Sequence, residues 1–470
     1  MAEKRGDYSY MVEWLHKLGY STDTRMQERV SGYWGWFTAD NGWYHYSQRK
    51  GFRLHKFERT SLCPAALVAN EWASLLMTET TAISSDDSVF NDWIDQHFEG
   101  FAIDNADFVA RAFALGTGAW AIDIKNVTDD IVSPNADIKI VNYDATQIIP
   151  LTYSSSDCTQ AAFASRVEVG GKDYNQCQAH VNIGGTYHII TQLFTTRSHR
   201  QAVADGVIED CDTGSSTPTF ALFRPAVPND HFDYSALGAS VFDKAIGAIK
   251  TVDESATSLV DHIRVGRPKV FIDDSMIEKR NTKDANNKTV MDYTAFGEAD
   301  DIIFRVKAGE EGKQINVIQP DLKVSENTDA INTGLKELSL LCGFGNGYFS
   351  WDAHTGIKTA TEVSADNSIL ARSIKKHENG IRKSIIRIVR GMAGVCRGVL
   401  GETVPDGKIT VSFDDSIITD TVSEKAQMMS EVAQGIARPW EYRVKFYNES
   451  VDDAISACAT PETEIDDLLS

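Results

Sequence analysis

Long apolar runs are missing from this 470-residue chain. No stretch approaches the ~20 residues that a membrane-spanning helix needs, so no membrane partner is expected. The opening residues, MAEKRGDYSY, have no apolar core like that of a secretory leader, and the chain is expected to stay in the cytoplasm where it is made. Cysteine is sparse: Cys63, Cys158, Cys177, Cys211, Cys342, Cys396 and Cys458 are scattered, odd in number and without a CxxC pair. That pattern argues for reduced, mostly buried thiols, and against a disulfide framework or a zinc site. Catalytic signatures are also absent. There is no GxxxxGKS/T phosphate loop and no GxSxG elbow, and His377-Glu378 lacks the second histidine of HExxH because position 381 is Ile. Nothing in the residues calls for a cofactor, a bound metal or an enzymatic activity. Basic charge is the minority sign, 46 Lys+Arg against 67 Asp+Glu, for a net −21. This balance excludes a surface that grips nucleic acid everywhere, but not one past which DNA slides.

What is present is strongly segmented. Tyr33, Trp34, Trp36, Phe37, Trp43, Tyr44 and Tyr46 fall within fourteen residues. Such a cluster can stack on sugars or bases; we read it as the packing of a loop-rich lobe. Ala65–Met77 and Asn105–Leu115 are helical patterns, the first preceded by Pro64 and the second ended by Gly116-Thr-Gly118. Ile138–Tyr143, Ala162–Val169, Ala179–Ile183 and Tyr187–Phe194 read as short antiparallel strands. Phe242, Ala245, Ile249, Val252, Ala256, Leu259 and Ile263 then recur at alternating spacings of 3 and 4. They predict a helix over Ser240–Val265, ~40 Å long, with one narrow apolar seam of the kind that packs against a neighbouring copy or a partner helix. Gly266-Arg-Pro268 stops it. Lys269–Ile272, Thr289–Tyr293, Asp301–Val306 and Ile315–Ile318 are strand candidates, with Glu278–Lys288 as a polar loop between them.

A second helix is expected over Val324–Cys342, with Ile331, Leu335, Leu338 and Leu341 on one face. The segment GFGNGYFSWDAHTGIKTATEV (343–363) follows, its glycines giving backbone freedom. Thr359 and Glu362 form a capping box that starts a third long helix, to about Gly391, with Gly380 as a kink point. That helix reverses the local sign of charge through Arg372, Lys375, Lys376, Arg382, Lys383, Arg387 and Arg390. Beyond it come a strand (Lys408–Phe413), helices at Ser423–Gln434 and Pro439–Tyr447, and an acidic tail, Glu462–Ser470. The fold class is α+β, mainly helical.

This order of parts resembles the portal proteins of tailed bacteriophages, in particular those of long non-contractile-tailed phages of Gram-positive hosts. Ile318–Val324, Gly356–Val363 (GIKTATEV), Asp414–Asp420, Gly435–Tyr447 and the Gly-Arg-Pro-Lys turn within Gly238–Ile272 carry the resemblance. It implies a ring, generally of twelve subunits, at one capsid vertex. Residues 1–237 would be the wing, 238–266 the first stem helix, 267–322 the clip and 323–342 the second stem helix. Residues 343–357 would be the tunnel loop, 358–400 a long kinked wing helix and 401–470 the C-terminal wing or crown with its tail. The seven seam residues would face the next subunit, and Phe349, Trp351, His354 and Lys358 would line the DNA channel. Implied partners are further copies of the chain, sliding double-stranded DNA, the major capsid protein or scaffold, the terminase and a head–tail adaptor. The competing readings are another virion component, such as a minor head protein, and a carbohydrate-binding or hydrolysing protein suggested only by the cluster at 33–46.

Overall fold

The computed structural model describes residues 8–127, 132–154, 157–232, 234–267, 269–273, 279–283, 289–293, 303–306, 315–318, 320–351, 360–413, 428–447 and 451–458. The N-terminal lobe is built from α1 (Ser9–Lys17), α2 (Gln27–Phe37), the hairpin β1 (His45–Lys50) and β2 (Arg53–Glu58), α3 (Pro64–Leu76), β3 (Ala82–Ser85), α4 (Ser88–Phe98) and α5 (Phe101–Leu115). Local chemistry sets the helix ends. Pro64 opens α3 where no amide hydrogen is needed. The Asp87 carboxylate accepts from the Phe90 amide at 2.8 Å to cap α4. Gly116 ends α5 at φ +87°, and a Cβ there would lie 2.5 Å from the Gly238 carbonyl oxygen, so only glycine fits.

The strand-rich region is antiparallel, as its alternation predicts. β4 (Gly118–Lys125) pairs with β5 (Asp137–Asp144) and with β12 (Phe220–Phe223). A separate meander joins β6 (Ile148–Ser154), β7 (Asp157–Val169), β8 (Lys172–Ile183), β9 (Thr186–Thr195) and β10 (Gln201–Ala202), with β11 (Asp210–Asp212) also on β9. Gly170-Gly171 and Gly184-Gly185, all at positive φ, turn the two central hairpins. Helix α1 covers this sheet, burying Met11, Trp14 and Leu15 against Leu151, Ala162, Val181 and Phe194.

Helix α6 (Ile246–Val265) begins six residues after the expected Ser240, because a 3-10 turn occupies Asp243–Ala245. It returns as α7 (Val324–Leu341) after β13 (Lys269–Asp273), β14 (Lys279–Lys283), β15 (Thr289–Tyr293), β16 (Ile303–Val306) and β17 (Ile315–Ile318). Here the expected polar loop at Glu278–Lys288 is corrected: Lys279–Lys283 is a strand, paired antiparallel with Thr289–Tyr293. Its residues, KRNTK, carry no apolar alternation, so only the partner strand marks the hairpin.

Helix α8 (Ala360–Val395) runs through Gly380 without a break in α geometry. The departure comes later, in a π turn at Cys396–Leu400. Strand β18 (Ile409–Ser412) pairs with β3, and α9 (Pro439–Tyr447) and α10 (Val451–Cys458) complete the described chain. Glycines at the end of α8 and in the π turn let this stretch approach the segment before β12. A Cβ on Gly391 would sit 2.5 Å from the Pro218 carbonyl oxygen, one on Gly394 would strike the Ser215 hydroxyl, and one on Gly398 the Thr213 carbonyl. At Gly380 the nearest such atom is 3.5 Å away. Gly398→Ala should therefore lose ~1–3 kcal/mol through forced backbone shifts, whereas Gly380→Ala should gain up to ~1 kcal/mol of helix propensity. Denaturant midpoints that move the same way in both variants would disprove this packing account.

Candidate functional site: the α6–α7 hairpin and the loop into α8

The hairpin of α6 and α7 is closely packed because Gly334 removes a side chain from the contact: a Cβ there would lie 2.8 Å from Val252 Cγ2. Near its far end Asn327 Nδ2 lies 2.7 Å from His262 Nδ1. Phe242, Ala245, Ile249 and Val252 are buried within the subunit, in one core with Ile331, Leu335 and Leu338, and Ala256 is buried as well. This corrects the expectation that the whole seam faces a neighbour, since a residue already closed off by its own chain has no surface to offer. Leu259 is partly buried against that core, and only Ile263, 50% exposed, is open. Sequence periodicity could not divide the seam, because the same spacing serves an internal helix pair and an intersubunit one. What it missed is an apolar group at the open end of the hairpin: Val265, Val317, Ile318, Leu322 and Val324, all exposed like Ile263.

The other side of α6 receives the aromatic cluster. Tyr44 Oη donates to Asp253 Oδ2 at 2.6 Å, Ser61 Oγ donates to the same oxygen at 2.8 Å, and the Leu62 amide donates to Oδ1 at 2.8 Å. Burial nevertheless holds the Asp253 carboxyl above its ordinary pKa, against the pull of these donors. Ten residues earlier, in the 3-10 turn that precedes α6, Tyr33 Oη donates to Asp243 at 2.6 Å, and His231 Nε2 lies 2.9 Å from the same carboxylate. The cluster at 33–46 thus bolts the N-terminal lobe to α6.

The loop after α7 is anchored before it is free. Phe344 is buried and stacks on Trp72 at 4.4 Å, while Trp72 Nε1 donates to the Cys342 carbonyl at 3.2 Å. Ser339 Oγ accepts from the Phe349 amide at 3.0 Å, and Tyr348 donates to Glu71. Gly343, Gly345 and Gly347 take positive φ so that the chain can turn back onto this platform. Phe349 is consequently buried beside Phe344 and does not line a channel, a correction to the sequence reading. Trp351 is 51% exposed, with its amide held by Asn332 Oδ1 at 2.8 Å. His354, Lys358 and the Thr359 cap lie outside the described residues, as do Asp414–Asp420 and the acidic tail.

The basic residues of α8 divide in two. Arg387 binds Asp157 at 2.6 Å and the Cys158 carbonyl at 2.9 Å; Arg382 donates to the Val411 carbonyl at 3.2 Å and lies over Phe413. Both serve the internal fold. Arg372, Lys375, Lys376, Lys383 and Arg390 are exposed, and Lys375 also reaches buried Glu378 at 3.3 Å.

The family model for "Phage portal protein, SPP1 Gp6-like" matches residues 65–445, a span that includes both helices of the hairpin, the loop and α8. The chain belongs to this family of phage portal proteins. It is a structural component of the virion, at the capsid, and the resemblance read from the sequence is to the right family. A solved chain from the neck of an empty GTA particle, computed with C6 symmetry, is 12% identical, with a TM-score of 0.40 over 95% of this chain and 99% of that one. No curated protein sequence matches. Among the described residues, no helix of the portal subunit is long and apolar enough to cross a membrane.

The loop platform also gives the portal subunit an acid-sensitive point. His377 on α8 lies 4.4 Å from Trp72, its Nδ1 accepts from the Ala226 amide at 3.0 Å, and burial pushes its pKa down to about 3. His180, buried beside Thr219, is likewise pushed down to about 3. Both are neutral when folded but take up a proton near their ordinary pKa of about 6.5 when unfolded. Their contribution is therefore intact above pH ~6.5 and is lost as pH falls from there toward 3, at about 1.4 kcal/mol per pH unit for each. Melts at pH 7, 6 and 5 should show this decline, and His377→Gln should flatten it. An unchanged slope in that variant would assign the acid sensitivity to other groups.

Proposed function

We propose that this subunit assembles into a ring, of twelve copies, that forms the DNA channel at one capsid vertex. Double-stranded DNA enters and leaves through it, with the terminase docking during packaging and a head–tail adaptor afterwards. The observation that carries the ring is the apolar group left open at the end of the hairpin: Ile263, Val265, Leu322 and Val324. The exposed positions nearer the middle of the hairpin are mostly polar, such as Lys250, Glu254, Asp329 and Lys336, so the apolar group at its end is the part that gains most from a neighbour, and a second copy in head-to-tail arrangement supplies one. The net charge of −21 suits a passage through which DNA slides, since each neutralised phosphate adds salt-dependent affinity that would slow movement.

By this reading the segment from Trp351 to Lys358, carrying His354, projects to the narrowest point and meets the phosphate backbone without base readout. The exposed cations Arg372, Lys375, Lys376, Lys383 and Arg390 supply the weak positive guidance. Deleting residues 353–357, beyond the anchored platform, should leave ring assembly intact and reduce DNA packaging or retention. Electron microscopy of the purified protein tests the ring, and genome content of particles tests the loop. A monomer would overturn the channel reading in favour of a minor head component. Normal filling with the shortened loop would overturn the loop's role alone.

A further inference from the structure

The hairpin β1–β2 is the least explained part of the fold. It pairs with no other strand of the described structure, and its strands of six residues each reach ~20 Å. Residues 45–58 read HYSQRKGFRLHKFE: four Lys or Arg and one acid, in a chain of net charge −21. At its tip Gly51 takes φ +62° and Phe52 is 101% exposed, with Leu54 67% exposed on the returning strand. A fully exposed aromatic apex within basic flanks gains apolar burial wherever a surface of matching shape and charge receives it.

The same chain carries a matching seat elsewhere. Between β3, α4 and α5 lies a cavity of about 570 Å³ whose lining includes Ile94, Phe98, Phe101 and Ile385, all buried. Glu79, Asp95 and Glu99 are its charged residues, all exposed; it is lined by no Lys, Arg or His. Ile103, 55% exposed, also lines it. The hairpin precedes the first turn of α3 and the cavity follows its last, so the two surfaces sit at opposite ends of a helix ~20 Å long. In the single subunit Phe52 is fully exposed and does not fill the cavity of its own chain.

We propose that the β1–β2 hairpin is an intersubunit arm, and that Phe52 seats in the acid-rimmed cavity between β3, α4 and α5 of a neighbouring copy. The apex supplies apolar burial, and Arg49, Arg53 and Lys56 meet the carboxylate rim. Because knob and socket are different surfaces of one chain, the contact is head-to-tail and compatible with ring closure. The proposal rests on the ring reading but adds a second, independent contact to it. A second copy is favoured over nucleic acid because a duplex offers charge to the flanks but no apolar socket to the apex.

The test uses the full chain in a Cys63→Ser background, which removes the one exposed native cysteine. Phe52→Cys and Ile103→Cys are introduced singly and together, and a short bismaleimide is added to the assembled protein. The expected result is a ladder of covalent oligomers on a denaturing gel only when both cysteines are present. Arg53→Glu and Glu99→Lys should each lower ring yield severalfold at moderate salt, and the double charge swap should restore it. Particles that stain as rings yet give no ladder, or only intrachain products, would overturn the arm while leaving the ring standing. If the unsubstituted chain forms no rings, the ring reading and the arm fall together. If Phe52→Asp leaves rings intact but abolishes a DNA mobility shift, the arm is a nucleic-acid contact and the proposal is wrong.

Discussion

Ile249→Asp should prevent the subunit from folding, whereas Ile263→Asp should leave it folded and stop assembly. Both lie on α6 in the same apolar repeat, fourteen residues apart, but their surroundings are opposite. Ile249 is fully buried among residues of its own chain. A carboxylate there would be desolvated with no partner, at a cost of several kcal/mol that is a large part of a typical folding free energy. Ile263 is 50% exposed, so aspartate there should change the stability of the subunit by less than ~1 kcal/mol. In a ring the same carboxylate would be buried against the neighbour, and assembly would fail. Circular dichroism melts measure the first effect, and size-exclusion chromatography with negative-stain imaging the second. Normal rings from Ile263→Asp would show that the open end of the hairpin is not an intersubunit surface. A normally stable Ile249→Asp subunit would contradict the packing of α6 itself.

Trp72→Ala is expected to be the most damaging change at the loop platform. Trp72 is completely buried, contacts Phe344 and His377 at ring-centroid distances of 4.4 Å, and holds the Cys342 carbonyl. Truncation removes a large aromatic from a close-packed site, worth ~3–5 kcal/mol, and leaves a buried carbonyl without its donor. The loop should come away from α3, because Phe344 loses its stacking partner. Faster amide hydrogen exchange over residues 342–349 is the signature, alongside a lowered denaturation midpoint. Trp351→Ala should change stability by less than ~1 kcal/mol, since that ring is half exposed. Equal losses in the two variants would mean that the platform does not hold the loop.

These contrasts mark what was readable beforehand. α3, α7, β15 and β17 lie where helical or strand patterning puts them, because long periodic segments and Gly or Pro boundaries are local signals. The hairpin β1–β2 and the strand Lys279–Lys283 were not legible, since charged residues line both and only a partner strand makes them extended. Gly380 looked like a point of weakness; the glycines that matter, Gly391, Gly394 and Gly398, are set by what approaches from outside the helix.

The sequence by itself determined the class of protein: an acidic α+β chain without catalytic motifs, whose segment order and GIKTATEV-type elements resemble those of portal proteins. It also determined where the seam helix and the basic helix run, because period and charge are written along the chain. The tertiary structure alone decided which residues on those helices are available. It buried five of the seven seam residues, tied Arg382 and Arg387 into the fold, folded Phe349 under the loop and left Ile263 and Phe52 open. The reason is physical: periodicity specifies that a face must be covered, but burial depends on which other segment of the same chain arrives there first.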